Sequence, residues 1–260
     1  DDGDSLESIE GCLTDAQYNR DEHRKAVIDD ILDNWVSQSH NGKFHAILAT
    51  SSIPEAIKYY KLFAQRDCGL KTTAVFDPSD GNNESSIEKI DGIAQMLEDY
   101  NSLFGTCFNI SGYASFKRDV CARLAHKTPY TAVENEPSKC LDILIVVDQM
   151  LTGYDSKWLN TLYMDKFYKW SNIEMIIQAF SRTNRVFNDD KPHGIIRYYR
   201  RPYTMKNIIE YAFEQYSGQK PYGIFVAKLI QNLENMNAAF SDINDIFKIA
   251  GIPDFFKTSR

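Results

Sequence analysis

The sequence predicts an α/β fold, a layered sandwich around a mainly parallel sheet, followed by an all-helical C-terminal segment. Three observations predict it. Leu141-Asp-Ile-Leu-Ile-Val-Val147 is a nearly continuous apolar run, the pattern of a strand buried on both faces of a parallel sheet. Between residues 41 and 200, strand-like and helix-like stretches alternate, as β-α-β units require. From 203 onward the apolar residues follow only the helical period.

The elements can be taken in order. Residues 1–40 form an N-terminal lead-in with a helical stripe of Ile28, Ile31, Leu32, Trp35 and Val36. Strand candidates over 41–202 are Phe44–Thr50, Lys71–Phe76, Leu141–Asp148, Thr161–Asp165 and Gly194–Tyr199. Ser52-x-x-Glu55 reads as a capping box, opening a helix whose apolar side is Ala56, Ile57, Tyr60, Phe63 and Ala64. Asp77–Asn83 is a turn-rich loop, and Ile87–Phe104 reads as a helical insertion. Over 203–260, one stripe runs from Met205 through Ile208, Ile209, Ala212 and Phe213 to Tyr216, ending at Gly218. A second helix carries Leu229, Ile230, Leu233 and Met236.

Composition narrows the class without naming a function. With 43% hydrophobic and 25% charged residues, the chain of 260 residues is of ordinary globular composition. No apolar run approaches the roughly 18 residues of a membrane span, so no membrane partner is expected. The five cysteines are scattered and never form a C-x-x-C pair, so neither metal ligation nor a disulfide framework is expected and a reducing cytoplasm fits. The net charge of −7 argues against broad wrapping around nucleic acid, though a local basic stripe remains compatible with it. The first residues, Asp1-Asp-Gly-Asp4, lack a signal-peptide pattern and an initiating Met, so the sequence is expected to be part of a longer chain.

Three stretches carry candidate chemistry. In SNIEMIIQAFSRTNR (171–185), Ser171-x-x-Glu174 reads as a capping box. A helix continued through this stretch would bury Ile173, Ile176, Ile177 and Phe180, with Gln178, Arg182 and Arg185 within roughly 60° of each other on the opposite face. Two guanidiniums so grouped suit a phosphate; they equally describe a solvated helix face. Val146–Asp155 follows the buried strand, where open α/β sheets bind ligands. Gly153 permits close backbone approach and Asp155 can accept a ribose hydroxyl, although an ordinary strand-to-helix turn has the same composition. Ala49-Thr-Ser-Ser52 offers hydroxyls and amides at a helix start, for a phosphate or simply for a cap.

In this order the three stretches resemble motifs IV, V and VI of superfamily 2 helicases. Motif VI reads Q-x-x-G-R-x-x-R there; Gln178, Arg182 and Arg185 match it, with Ser181 in place of Gly. Gly153-Tyr154-Asp155 matches the Gly-hydrophobic-Asp of motif V, and Val147 stands where a Ser or Thr is usual. LIVVDQMLTGYD, WLNTLYMDK, QAFSRTNRV and KPHGIIRYYR together resemble, more narrowly, the restriction (motor) subunit of type I restriction–modification enzymes.

The resemblance implies a RecA-like three-layer sandwich, the second motor lobe of an ATP-driven DNA translocase. ATP and Mg would be held mainly by a first lobe, whose G-x-x-x-x-G-K-[ST] loop does not occur here. It implies catalytic roles for Arg182 and Arg185, nucleotide contacts from Gln178, Gly153 and Asp155, and DNA-backbone contacts from Thr50, Ser51 and Thr152. No residue is implied as a metal ligand. Partners would be double-stranded DNA and the methylase and specificity subunits, the methylase met through the helical tail. Asp155-x-Lys157 and Asp189-x-Lys191 fit the last element of a nuclease core, but Pro253-Asp254 follows both, so this chain is not expected to cut DNA or to act alone. Two further readings stand beside this one. One is another superfamily 2 motor, against which the QAFSRTNR form argues; the other is a non-catalytic α/β interaction domain.

Overall fold

The structure, a computed structural model, describes residues 9–66, 68–76, 86–147, 151, 154–216 and 229–249. Strands β1 (His45–Thr50), β2 (Thr72–Val75), β3 (Ile143–Val146), β4 (Leu159–Asp165) and β5 (Ile195–Tyr198) form one sheet in the order β2-β3-β1-β4-β5. Every pairing is parallel, and each expected strand is present with its ends shifted by one or two residues. The helices are α1 (Asp15–Tyr18), α2 (Asp21–Gln38), α3 (Ile53–Arg66), α4 (Ser86–Phe104), α5 (Tyr113–Leu124), α6 (Ile173–Phe180), α7 (Pro202–Tyr216) and α8 (Leu229–Ile249). Crossovers between parallel strands are right-handed, so β1–α3–β2 and β4–α6–β5, which step toward opposite edges, place their helices on opposite faces. This is the RecA-like sandwich the resemblance implied, followed by helices.

Every residue of β1, β3 and β4 is buried, as the apolar run in 141–147 predicts, whereas the edge strand β5 is half-exposed throughout. On α3 the buried side differs from the expected one: Ala64 is exposed, while Tyr59 is fully buried. The capping box also forms only in part. Ser52 Oγ accepts from the Glu55 amide at 3.4 Å, but the Glu55 carboxylate turns away to meet Arg24 of α2 at 2.6 Å in a buried ion pair. Helix α5 lies in a stretch where no element was expected. Tyr113, Phe116, Val120 and Leu124 fit a helical face, but the face also buries Arg123, which bonds the phenols of Tyr100 and Tyr130.

The described residues from 9 to 40 pack against the sandwich. One compact unit runs to Ile209, and a second begins at Glu210, within α7. Within the first unit, Ile28 and Ile31 are fully buried and Gln38 binds Asn160 and Tyr163 of β4. Val36, expected on the packed stripe, is instead 64% exposed. Farther upstream, the Glu10 carboxylate accepts the backbone N–H groups of Tyr203 and Thr204, both at 2.8 Å. It thereby satisfies donors in the first turn of α7 and places an anion at the positive end of its dipole.

A densely bonded, fully buried carboxylate lies at the carboxyl end of β4. Asp165 is fully buried, and its carboxylate meets Arg200 at 3.0 Å through both oxygens, His23 at 2.7 Å and the Tyr59 hydroxyl at 2.9 Å. Burial alone would raise its pKa; the hydrogen bonds and charges of His23 and Arg200 outweigh that and hold it below the ordinary 3.8. A carboxyl depressed by folding contributes stability that is complete above its unfolded pKa and is lost as pH falls through the folded value. Asp165→Asn is therefore expected to cost about 3–5 kcal/mol near neutral pH, because Arg200 is left buried without its counter-charge. The variant should also lose less stability than the wild type as pH falls from about 4 toward 2. Urea midpoints across that range check both expectations, and parallel curves for the two proteins would contradict the assignment.

Candidate functional site

The candidate residues gather at the carboxyl end of β3, but not in the form the spacing predicted. Helix α6 spans only Ile173–Phe180 and is preceded by a 3₁₀ turn over Trp170–Asn172. The expected Ser171–Glu174 capping box does not form: Asn172 holds the cap position without a side-chain cap, and the Ser171 hydroxyl bonds Asn172 instead. Arg182 and Arg185 lie beyond the helix, so they do not share a helical face with Gln178. The cause is local. Ser181 Oγ donates to the Gln178 carbonyl at 2.7 Å and Thr183 Oγ1 to the Phe180 carbonyl at 3.1 Å. Side-chain donors thus meet carbonyls that a continuing helix would engage, and the chain leaves the helix as a turn.

This turn brings the arginines together by another route, since both reach the loop that follows β3. Arg182 donates through Nε to the carbonyls of Gln178 at 3.1 Å and Leu151 at 3.3 Å, and through Nη1 to that of Tyr154 at 3.2 Å. Arg185 Nη2 pairs with Asp155 Oδ2 at 2.8 Å, with both side chains more than half exposed. Tyr154 anchors the loop from below: its ring is buried and its hydroxyl lies 3.1 Å from Nε2 of the buried His45. Burial, with the nearby charges of His126 and Lys191, pushes the His45 pKa well below its ordinary value, so this contact is made by a neutral imidazole at neutral pH.

The other expected residues divide. Gln178 is exposed beside the arginines. Thr152 and Gly153 lie outside the described residues. Thr50 is fully buried, and its hydroxyl donates to the Val146 carbonyl at 3.1 Å, tying the end of β1 to the end of β3. Ser51, by contrast, is partly open to solvent. Among the described residues no three His, Cys, Asp or Glu side chains are gathered as metal ligands. A separate depression between α2 and β5, lined by His23, Val27, Asp30, Arg197 and Tyr199, holds none of the expected residues.

Sequence reasoning missed the supports of the site. Lys191 is 1% exposed, and its ammonium bonds the carbonyls of Arg185 at 2.7 Å and Lys157 at 3.2 Å. Gly194 lies so close to Thr183 that a Cβ would meet its side chain at 2.3 Å. The signal available was the KPHG run following the arginines, which fixes a Lys and a Gly three residues apart.

Comparison with known proteins identifies the family. The family described as type I restriction enzyme subunit R domain 3 (T1R_D3-like) matches residues 42–201. The chain is similar to the Type I restriction enzyme SsaAORF53P endonuclease subunit of Staphylococcus saprophyticus, at 33% identity over 76% of the chain and 21% of that protein. It is also similar to the SauMRSORF196P endonuclease subunit of Staphylococcus aureus MRSA252, at 31% identity over 74% of the chain and 20% of that protein. A shorter match, 42% identical over 23% of the chain and 5% of the relative, is to the HindI endonuclease subunit of Haemophilus influenzae. The chain spans about a fifth of the length of the first two relatives. With more than half of its length inside the family's domain, the chain belongs to the type I restriction enzyme endonuclease subunits, as their subunit R domain 3.

Proposed function

We propose that this domain is the second lobe of an ATP-driven DNA translocase within a type I restriction enzyme, completing a nucleotide cleft whose other wall lies outside this sequence. The observation that carries the reading is the convergence of Arg182 and Arg185 on Leu151, Tyr154 and Asp155, which follow β3 in the chain. The segments that follow the strands are where open α/β sheets take their ligands. Among the described residues, the Arg185 side chain is held there by an exposed ion pair, worth about 0–1 kcal/mol. It can therefore exchange Asp155 for a phosphate at small cost, and its planar fork of donors suits the phosphate oxygens.

ATP with Mg supplies the transferable γ-phosphoryl group and its counter-charge; the lobe's own residues orient and stabilise it. Arg182 and Arg185 meet negative charge developing on the γ-phosphate. Gln178 orients that phosphate from the exposed end of α6. Asp155, released from Arg185, becomes free to accept a ribose hydroxyl, and Gly153 admits the nucleotide close to the backbone. Ser51 and Thr152 contact the DNA backbone, and Thr50 ties the end of β1 to the end of β3. The helical segment from 203 meets the methylase, with the specificity subunit choosing the DNA sequence.

The isolated 260-residue chain should hydrolyse no ATP above background, since it lacks a phosphate loop, and should bind duplexes weakly, without sequence preference and less well as salt rises. Turnover by pure folded chain, or tight binding to one sequence at raised salt, would contradict the two-lobe reading.

In a full-length subunit containing this sequence, Arg185→Ala should lower ATP turnover by roughly 10³–10⁵-fold, the loss of an arginine finger. Its fold should be unaffected, because the side chain is exposed. Arg182→Ala should lower turnover similarly and cost stability as well, by about 1.5–3 kcal/mol at most, because three carbonyls lose a charged donor. Lys at either position should restore little, since a point charge does not reproduce the fork. DNA translocation should disappear with the ATPase while methylation continues. Turnover and melting temperature measured on the same variants decide the matter: unchanged turnover in the double variant would sink the arginine assignment.

A further inference from the structure

The turn from Lys191 to Gly194 packs a buried cation and a close glycine against the chain that carries the arginines. Lys191 is a buried cation with no carboxylate paired to it among the described residues. Burial lowers its pKa to about 8, the mark of an ammonium kept in an unfavourable place. What it touches is specific: the carbonyl of Arg185 on one side and, on the other, that of Lys157, two residues after Asp155. The Arg185–Asp155 pair thus has a common peg beneath both of its loops.

The rest of the turn repeats the arrangement. Phe187 and Lys191 exchange two backbone hydrogen bonds of 3.0 Å, closing the chain just after Arg185. Two residues before Arg185, Thr183 is held against the Gly194 backbone, where a Cβ would come within 2.5 Å of the Thr183 carbonyl oxygen. The backbone on either side of Arg185 is therefore fixed, although the Arg185 side chain is exposed.

We propose that Lys191 and Gly194 are positioning residues for Arg185: the buried ammonium and the close glycine hold the peptide that carries it where its guanidinium can reach a phosphate. This rests on the reading of Arg182 and Arg185 given above. The physical reason is preorganisation, since side chains that act at the mouth of a cleft need a backbone that does not give, and a misplacement of about 1 Å can cost about 10²-fold in rate. Charge-assisted bonds to two carbonyls supply that rigidity better than neutral ones. The same buried charge is a burden on folding, and this separates positioning from ordinary support.

The test uses the full-length subunit with Lys191→Met, which fills the same space without the charge. The melting temperature is expected to change little, because removing an ammonium without a counter-charge from the interior offsets the two carbonyls that lose their donor. The kcat for DNA-dependent ATP turnover should fall by about 10²-fold with KM for ATP nearly unchanged. Adding Lys191→Met to Arg185→Ala should lower the residual turnover little further, since the first change acts through the second residue. Lys191→Gln, which keeps an amide donor in place, carries the same test if the Met variant does not fold. If Arg185→Ala is inactive while a folded Lys191 variant turns over like the wild type, the positioning role is wrong and the function stands. A loss of turnover that only tracks a lowered melting temperature, or that multiplies fully with Arg185→Ala, likewise overturns positioning. Unchanged turnover in Arg185→Ala removes the function and the positioning role together.

Discussion

The sandwich is organised around one buried carboxylate. Asp165 ends β4, next to the central strand β1, and receives partners from three directions: His23 from α2, Tyr59 from α3 and Arg200 from the chain leaving β5. An ion pair taken out of water gains little net stability, because desolvation offsets attraction. Its value is that it works in one geometry only. With the carboxylate ionised, α2 cannot slide along the sheet, nor can the chain after β5 change register, without leaving a charge unpaired in the interior.

That constraint explains how a small number of exposed residues can be placed accurately. β1, β3 and β4 are buried along their full length, so side chains cannot vary there without disturbing packing, and chemistry is confined to the strand ends. At those ends inward-facing polar groups serve as fastenings: Thr50 ties β1 to β3, Tyr154 meets His45, and Lys191 grips two carbonyls. The residues left facing outward, Gln178, Arg185 and Asp155, are the ones with freedom to exchange partners.

The sheet was legible in the sequence because its signal is local: five short apolar runs, each bounded by turn residues, became five strands. Helix faces were read less well where a polar residue belonged inside. Arg24, Glu55 and Arg123 are buried through partners remote in sequence, and no periodicity reveals a partner. In the candidate site the residue types were legible while their geometry was not. Gln178, Arg182 and Arg185 fit an ideal helix, but the hydroxyls of Ser181 and Thr183 end that helix early, and Arg182 and Arg185 turn instead to Leu151, Tyr154 and Asp155. Lys191 was invisible because a lysine in a turn ordinarily faces water.

The Glu10 cap on α7 also has a mechanical meaning. The root of that helix is tied by the Glu10 carboxylate at its first turn, by Arg201 to the Leu13 carbonyl and by Arg200 to both Asn19 and Asp165. A pull along α7 is therefore shared among several anchors and enters the sheet through β4, its most deeply buried long strand. Neither Arg182 nor Arg185 belongs to this chain of anchors. Load at the first turn of α7 thus reaches the sheet without passing through the peptides that carry the two arginines.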